Sequence, residues 1–285
     1  MHPSRRLATL FFLIALLVVS ACGEKEEPAT PAKPAANACT KDKLALKTPG
    51  QLTVATDKPA FPPYFEDNDP SNGKGFESAV AYAIAQELGF SKGEVKWTVV
   101  PFNSSYAPGP KDFDFDVNQI SISPKRAKRV DFSTPYYTAP QAVVAPKGSP
   151  AAGAKSLADL KDAQIGVQIG TTSLDAVDEK IQPTQQAKVF NDSNDVVTAL
   201  KQKQVDAIVT DLPTAFYITA AQVPGSQIVG QFEAPGGDAW GALLEKGSQL
   251  TPCVSQAVDK LRSSGRLDEL EQQWMGQAAG APELR

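Results

Sequence analysis

Arg126 closes the run Asn118-Gln119-Ile120-Ser121-Ile122-Ser123-Pro124-Lys125-Arg126. A guanidinium fork with serine hydroxyls close by matches a carboxylate. Its basic neighbours Lys125, Lys128 and Arg129 read as a solvated helical face. Gly170-Thr171-Thr172-Ser173 places threonine hydroxyls and backbone N–H groups at a helix start, an arrangement that caps the helix or holds an anion. Asp211 follows the apolar run Val205 to Thr210 and offers a carboxylate, suited either to an ammonium group or to capping the helix behind Pro213. Each pattern is common alone; together they describe a receptor for a zwitterion. Arg126 and the Thr171-Thr172 helix start serve the anionic side, and Asp211, with no basic neighbour in sequence, serves the cationic side.

Other chemistries lack their residues. The one histidine is His2, and the three cysteines, Cys22, Cys39 and Cys253, include no CxxC pair. Histidine-dependent hydrolases, zinc ribbons and thioredoxin-type redox centres are thereby excluded, and no metal or cofactor is expected. Gly73-Lys-Gly75 begins like a dinucleotide fingerprint but lacks its third glycine and follows a polar loop, so it carries no weight. A formal net charge of −4 over 285 residues gives no electrostatic footprint for nucleic acid.

Arg5 and Arg6, the apolar stretch Leu7 to Val19, and Ser20-Ala21 before Cys22 form an export signal over residues 1–21. The apolar stretch is short for a membrane span, which takes roughly 20 residues. Val19-Ser20-Ala21-Cys22 is similar to the bacterial lipoprotein signal, which implies lipidation of Cys22 and attachment to a membrane through the N-terminal lipid. Residues 22–38 are mostly Glu, Lys, Pro and Ala and read as a disordered tether. Outside the cytoplasm, Cys39 and Cys253 are free to pair with each other; the alternative is two separately buried thiols.

The elements that must position these residues follow from Leu52 onward, where short β-rich runs alternate with amphipathic stretches in an α/β pattern. Strands are expected at 52–56, 96–101, 117–122, 142–145, 164–169, 188–190, 205–210 and 240–244. Helices are expected at 76–88, 173–181, 195–202, around Val254-Ala257-Val258-Leu261, and at 267–274. The two halves repeat the style, so Ser121, Thr172 and Asp211 all fall near strand ends, the usual ligand crevice of α/β sheets.

Four ordered stretches carry a specific resemblance: Gly75 to Gly89; Ile120 to Arg126 followed by Val130 to Tyr137; Gly166 to Thr172; and Asp206 to Asp211. Over about Leu52 to Trp274 the chain resembles the family 3 extracellular solute-binding proteins of polar amino acid ABC importers. The resemblance implies a two-lobe type II periplasmic-binding-protein fold with two hinge crossings. Its lobes would be 39–140 with the return segment 237–276, and 141–236, leaving 277–285 as a tail. It implies a monomer that clamps a free polar L-amino acid by hinge closure and delivers it to a permease and its ATPase, with no catalytic step, in the periplasm or extracellular space. Carried over by position, Ser121 and Arg126 hold the α-carboxylate, Thr171 and Thr172 add donors from the other lobe, and Asp211 takes the α-ammonium. Phe61 and Phe102 sandwich the side chain, Asp57 touches its polar end, and the amide Gln119 enters the pocket. The departures are Ser78-Ala79 for a hydrophobic-acidic pair, Asn118-Gln119 for small residues, and the extra Lys58. Two other readings of the scaffold are a prephenate- or arogenate-type dehydratase and a ligand-sensing receptor subunit.

Overall fold

A computed structural model describes residues 39–276 and 281–285; the export segment, Cys22 and the tether lie outside the described residues. In chain order the strands are β1 (Leu52–Thr56), β2 (Val95–Val99), β3 (Phe115–Asp116), β4 (Val130–Thr138), β5 (Gln141–Pro146), β6 (Ile165–Gln168), β7 (Lys188–Phe190), β8 (Ala207–Asp211), β9 (Ser226–Phe232) and β10 (Ala239–Glu245). The helices are α1 (Phe76–Glu87), α2 (Phe102–Ser105), α3 (Pro124–Ala127), α4 (Thr172–Ala176), α5 (Ser193–Lys201), α6 (Leu212–Tyr217), α7 (Thr251–Ser263) and α8 (Arg266–Met275).

Two five-stranded sheets form, one per lobe, in the orders β2-β1-β3-β10-β4 and β7-β6-β8-β5-β9. In each, the first three strands pair in parallel, and the fourth runs antiparallel between the third and the fifth. Burial explains the strand sequences: β1, Leu-Thr-Val-Ala-Thr, is buried along its whole length, as a central strand covered on both faces must be. Helix α1 closes the first lobe with Phe76, Val80, Ala81, Ile84 and Ala85 in its core, the spacing of one helical face. Gly75 starts that helix at φ 96°, with the Tyr64 carbonyl packed where a side chain would stand; only glycine fits both conditions.

The chain crosses between lobes through Ala139-Pro140 and again through residues 233–238, and the two crossings touch where Ala139 N–H donates to the Asp238 carbonyl at 2.9 Å. It then returns to the first lobe, whose core includes Val254, Val258, Leu261, Leu270 and Met275 of α7 and α8. A disulfide joins Cys39 to Cys253 on α7, with Cα atoms 5.3 Å apart across 214 residues of sequence. In the entropic model a loop of that length is worth about 5 kcal/mol. Beyond α8 the chain passes once more to the second lobe: Gln231 N–H donates to the Pro282 carbonyl at 2.7 Å, Leu284 N–H to the Gln231 carbonyl at 2.8 Å, and Leu284 is buried in the second lobe's core.

Several expected elements differ. No strand covers 117–122: β3 ends at Asp116, Gln119 adopts φ 48°, and only Ser121 makes a bridge, to Trp240. Strands β4 and β9 were absent from the expected set. The helix expected at 173–181 is α4 followed by a wider turn over Val177–Ile181, where Gln182 N–H reaches back to the Val177 carbonyl.

Candidate functional site

A cavity of about 380 Å³ opens between the lobes, at the small end of the roughly 300–1,000 Å³ usual for small-molecule sites. The first lobe walls it with Asp57, Phe61, Phe102, Gln119 and Ser121, the second with Thr171, Thr172 and Asp211. Of the expected binding residues, Arg126 alone is not on this wall.

Local structure explains how each is held. Ser123 caps α3, accepting from Arg126 N–H at 3.2 Å, and Pro124 opens the helix; this aims Arg126 inward. Its guanidinium is buried, donating to the carbonyls of Ser121 and, across the lobe interface, Gly170, both at 2.8 Å. It lies 4.7 Å from the Tyr106 ring centre and 5.4 Å from that of Phe102. Arg126 thus stands apart from the solvated face expected of its basic neighbours, and its charge bridges the lobes. Burial lowers its pKa, against the attraction of Asp238, Asp175 and Asp211.

Thr171 and Thr172 divide their work. Thr171 caps α4, accepting from Leu174 N–H at 3.2 Å, while Thr172 reaches Ser121 of the opposite lobe at 3.3 Å between hydroxyl oxygens. Asp211 precedes α6 but makes no capping bond. Its partner here is a neutral one: Gln141, opposite it in the β5–β8 pair, donates from Nε2 to Asp211 Oδ1 at 2.7 Å. The same Nε2 donates to Asp238 Oδ2, also at 2.7 Å. Burial raises Asp211 well above the usual carboxylate range, and the nearby Asp238 carboxylate adds to it.

Asp57 accepts from the backbone N–H groups of Lys58 at 2.6 Å and Phe102 at 3.0 Å, so it orients Phe102 as well as facing the cavity. Phe61 stacks on Tyr217 of the second lobe, ring centres 6.0 Å apart and 15° from parallel, and Tyr64 joins Thr214 through hydroxyls 2.8 Å apart. Gln119 is held from behind by buried Glu77, which accepts from its backbone N–H at 2.7 Å and from its side-chain amide, and from the Tyr136 hydroxyl. Burial raises Glu77 to about 7 despite those bonds. With its N–H₂ turned to Glu77, Gln119 presents its oxygen as the remaining acceptor.

Sequence reasoning missed Asp238, Gln141 and Glu77. Each is a polar residue flanked by apolar or small ones at the edge of a regular element, as in Gly236-Gly237-Asp238-Ala239-Trp240 and Ala139-Pro140-Gln141-Ala142. That pattern was the available signal.

The chain matches the family model described as bacterial extracellular solute-binding proteins, family 3, over residues 52–277. It is 29% identical over 215 residues to the arginine-binding extracellular protein ArtP of Bacillus subtilis, covering 74% of this chain and 81% of that one. To the glutamine-binding protein GlnH of the same organism it is 29% identical over 274 residues, 93% of this chain and 95% of that one. Among solved structures, an ancestral arginine-binding protein bound to glutamine superposes with a TM-score of 0.67 at 34% identity, covering 80% of this chain and 98% of that one. These comparisons favour binding over the dehydratase reading. With two mixed sheets, a cleft between them and a family match spanning nearly the whole described domain, the chain belongs to the bacterial extracellular solute-binding proteins of family 3.

Proposed function

We propose that this protein captures a polar L-amino acid between its lobes and hands it to the permease of an ABC importer. The supporting observation is the joining of Asp211 and Thr172 in one hydrogen-bonded set through Gln141 and Asp238. A cation acceptor and hydroxyls from both lobes thereby line one cavity, as the two α-groups of an amino acid require. Arg126 spends two of its five N–H donors on carbonyls, leaving others for an α-carboxylate. Asp211 takes the α-ammonium, Phe61 and Phe102 flank the side chain, and Gln119 and Asp57 read its polar end.

Closure moves 141–236 against 39–140 and 237–276 about the paired crossings. A ligand touching both lobes shifts the population by its differential affinity for the closed form. Lipid at Cys22 would anchor the monomer through the tether on the outer side of a membrane. Among the described residues no helix is long and apolar enough to cross one.

A thermal-shift screen of the twenty L-amino acids and L-cystine tests this. A ligand at 100 times its Kd stabilises by about 2.7 kcal/mol. N-acetylation of the best ligand should abolish the shift, since it removes the ammonium. No shift with any of them, or equal shifts with the acetylated compound, would remove the proposal.

A further inference from the structure

The Asp238 carboxyl is fully buried where the second crossing enters β10, and its Oδ1 has no hydrogen-bond partner. Its Oδ2 accepts from Thr172 Oγ1 at 2.8 Å and from Gln141 Nε2 at 2.7 Å. A hydroxyl has one proton to give. Thr172 gives its proton to Asp238, so in its 3.3 Å contact with Ser121 it can only accept; Ser121 gives its own proton either to Thr172 or to Asp238 directly. By either route both hydroxyl protons are drawn toward the Asp238 carboxylate, away from the cavity that both residues line. The same two hydroxyls are those assigned above to an α-carboxylate, which needs their protons.

A proton on Asp238 Oδ2 reverses this pull. The carboxyl then donates to Thr172 Oγ1 while still accepting from Gln141, and hydroxyl protons of Thr172 and Ser121 are released toward the cavity. Neutralising Asp238 also removes a buried negative charge from beside an incoming carboxylate. Both effects have the same sign.

We propose that Asp238 is a positioning residue that sets the direction of the Ser121–Thr172 hydroxyl pair, and that an amino acid is bound most tightly with a proton on Asp238. The inference rests on the α-carboxylate reading of the proposed function. Burial raises the Asp238 pKa, opposed by the Ser121, Thr172 and Gln141 hydrogen bonds and the Arg126 charge. The other charged groups around it are Asp211 on β8, Asp175 on α4 and Glu77 on α1; the phenols Tyr64 and Tyr106 are raised by burial and stay neutral. Asp211 works in the opposite sense, because its protonation weakens the hold on an α-ammonium, so the direction of the pH dependence separates the two carboxyls.

The test is isothermal calorimetry at pH 6 and pH 8 with L-arginine, L-glutamine and whichever amino acid gives the largest thermal shift. Their α-groups keep their charges over this range. For the wild type, Kd is expected to rise by about three-fold or more from pH 6 to pH 8, the direction set by losing a proton from one carboxyl. Asp238→Asn, whose amide donates permanently to Thr172, should bind more tightly than wild type at pH 8 and lose the rise. Asp238→Ala, which leaves the hydroxyls no acceptor there, should also lose it, and guards against misfolding of the first variant, with circular dichroism checking both. A wild-type affinity that is flat or falls toward pH 6, or variants that keep the wild-type slope, would overturn the inference while leaving amino-acid binding intact. Absence of binding by wild type at both pH values would instead remove the proposed function, and the inference with it.

Discussion

Asp116 on β3 is fully buried and neither carboxyl oxygen has a hydrogen-bond partner. Burial holds its pKa well above the usual carboxylate range, and the charges of Glu77 and Asp57 raise it further. In the unfolded chain the group ionises near its ordinary value, while in the fold it keeps its proton. Its favourable contribution is therefore fully present below the unfolded pKa and is lost as pH rises toward the folded one. Glu77, raised to about 7, acts in the same sense between its ordinary value and neutrality. Asp116→Asn should flatten the decline of denaturant-measured stability between pH 4 and pH 8, and an unchanged slope would place the decline elsewhere. Arg126→Ala should leave the fold intact but cost binding on the order of 3–5 kcal/mol, since it strips an anion of its buried partner. Unchanged affinity by calorimetry would confine Arg126 to its carbonyl contacts between the lobes. Thr172 was legible as a helix start and Ser121 as a hydroxyl close to Arg126, whereas Asp57 and Phe61 were legible through the family resemblance. Asp116, Glu77 and Asp238 were not, because what makes them unusual is burial beside groups from 40 to more than 100 residues away, and a single sequence does not display burial of charge.

At the scale of elements, the helices were the readable part, because an apolar face repeating at helical spacing survives in sequence, as in α7 with Cys253, Val254, Ala257, Val258 and Leu261 buried. Strand β4 hid because it carries Pro135 and polar residues; Pro135 lies opposite Gly241, where the β4–β10 register shifts, and a bulge is where a strand tolerates proline. Strand β9 hid behind Gly230 and glutamines, and Gly230 has a particular reason. A Cβ there would stand 2.6 Å from Leu284 Cγ and 2.7 Å from the Pro282 carbonyl. Gly230→Ala is expected to push the C-terminal segment off β9, with a loss of up to roughly 1.5–3 kcal/mol for the exposed Leu284. Hydrogen exchange should show faster exchange at Gln231 N–H and Leu284 N–H. Protection equal to wild type would mean that the segment adjusts in place.

For the molecule as a whole, the repeated sheet plan makes two comparable bodies, and what joins them decides how far they separate. Arg126 to Gly170, Ser121 to Thr172, Tyr64 to Thr214 and Phe61 to Tyr217 all span the cleft, so ligand binding and lobe contact draw on neighbouring or identical groups. The general plan was readable in sequence from the two similar halves. The third passage of the chain was not, because Pro282 and Leu284 dock through backbone bonds and one buried side chain, with no periodic pattern to announce them. Cys39 is fastened to α7 in the first lobe, whereas Leu284 is seated in the second. The two ends of the described domain therefore report on different bodies. A fluorescent donor fused ahead of residue 39 and an acceptor fused after Arg285 would form a ruler across the cleft without any internal label. Energy transfer should change on saturation with the best amino acid, and Gly230→Ala should blunt the change by unhooking one end of the ruler. The same molecule that we propose gathers nutrients would then serve as a genetically encoded gauge of its own cargo.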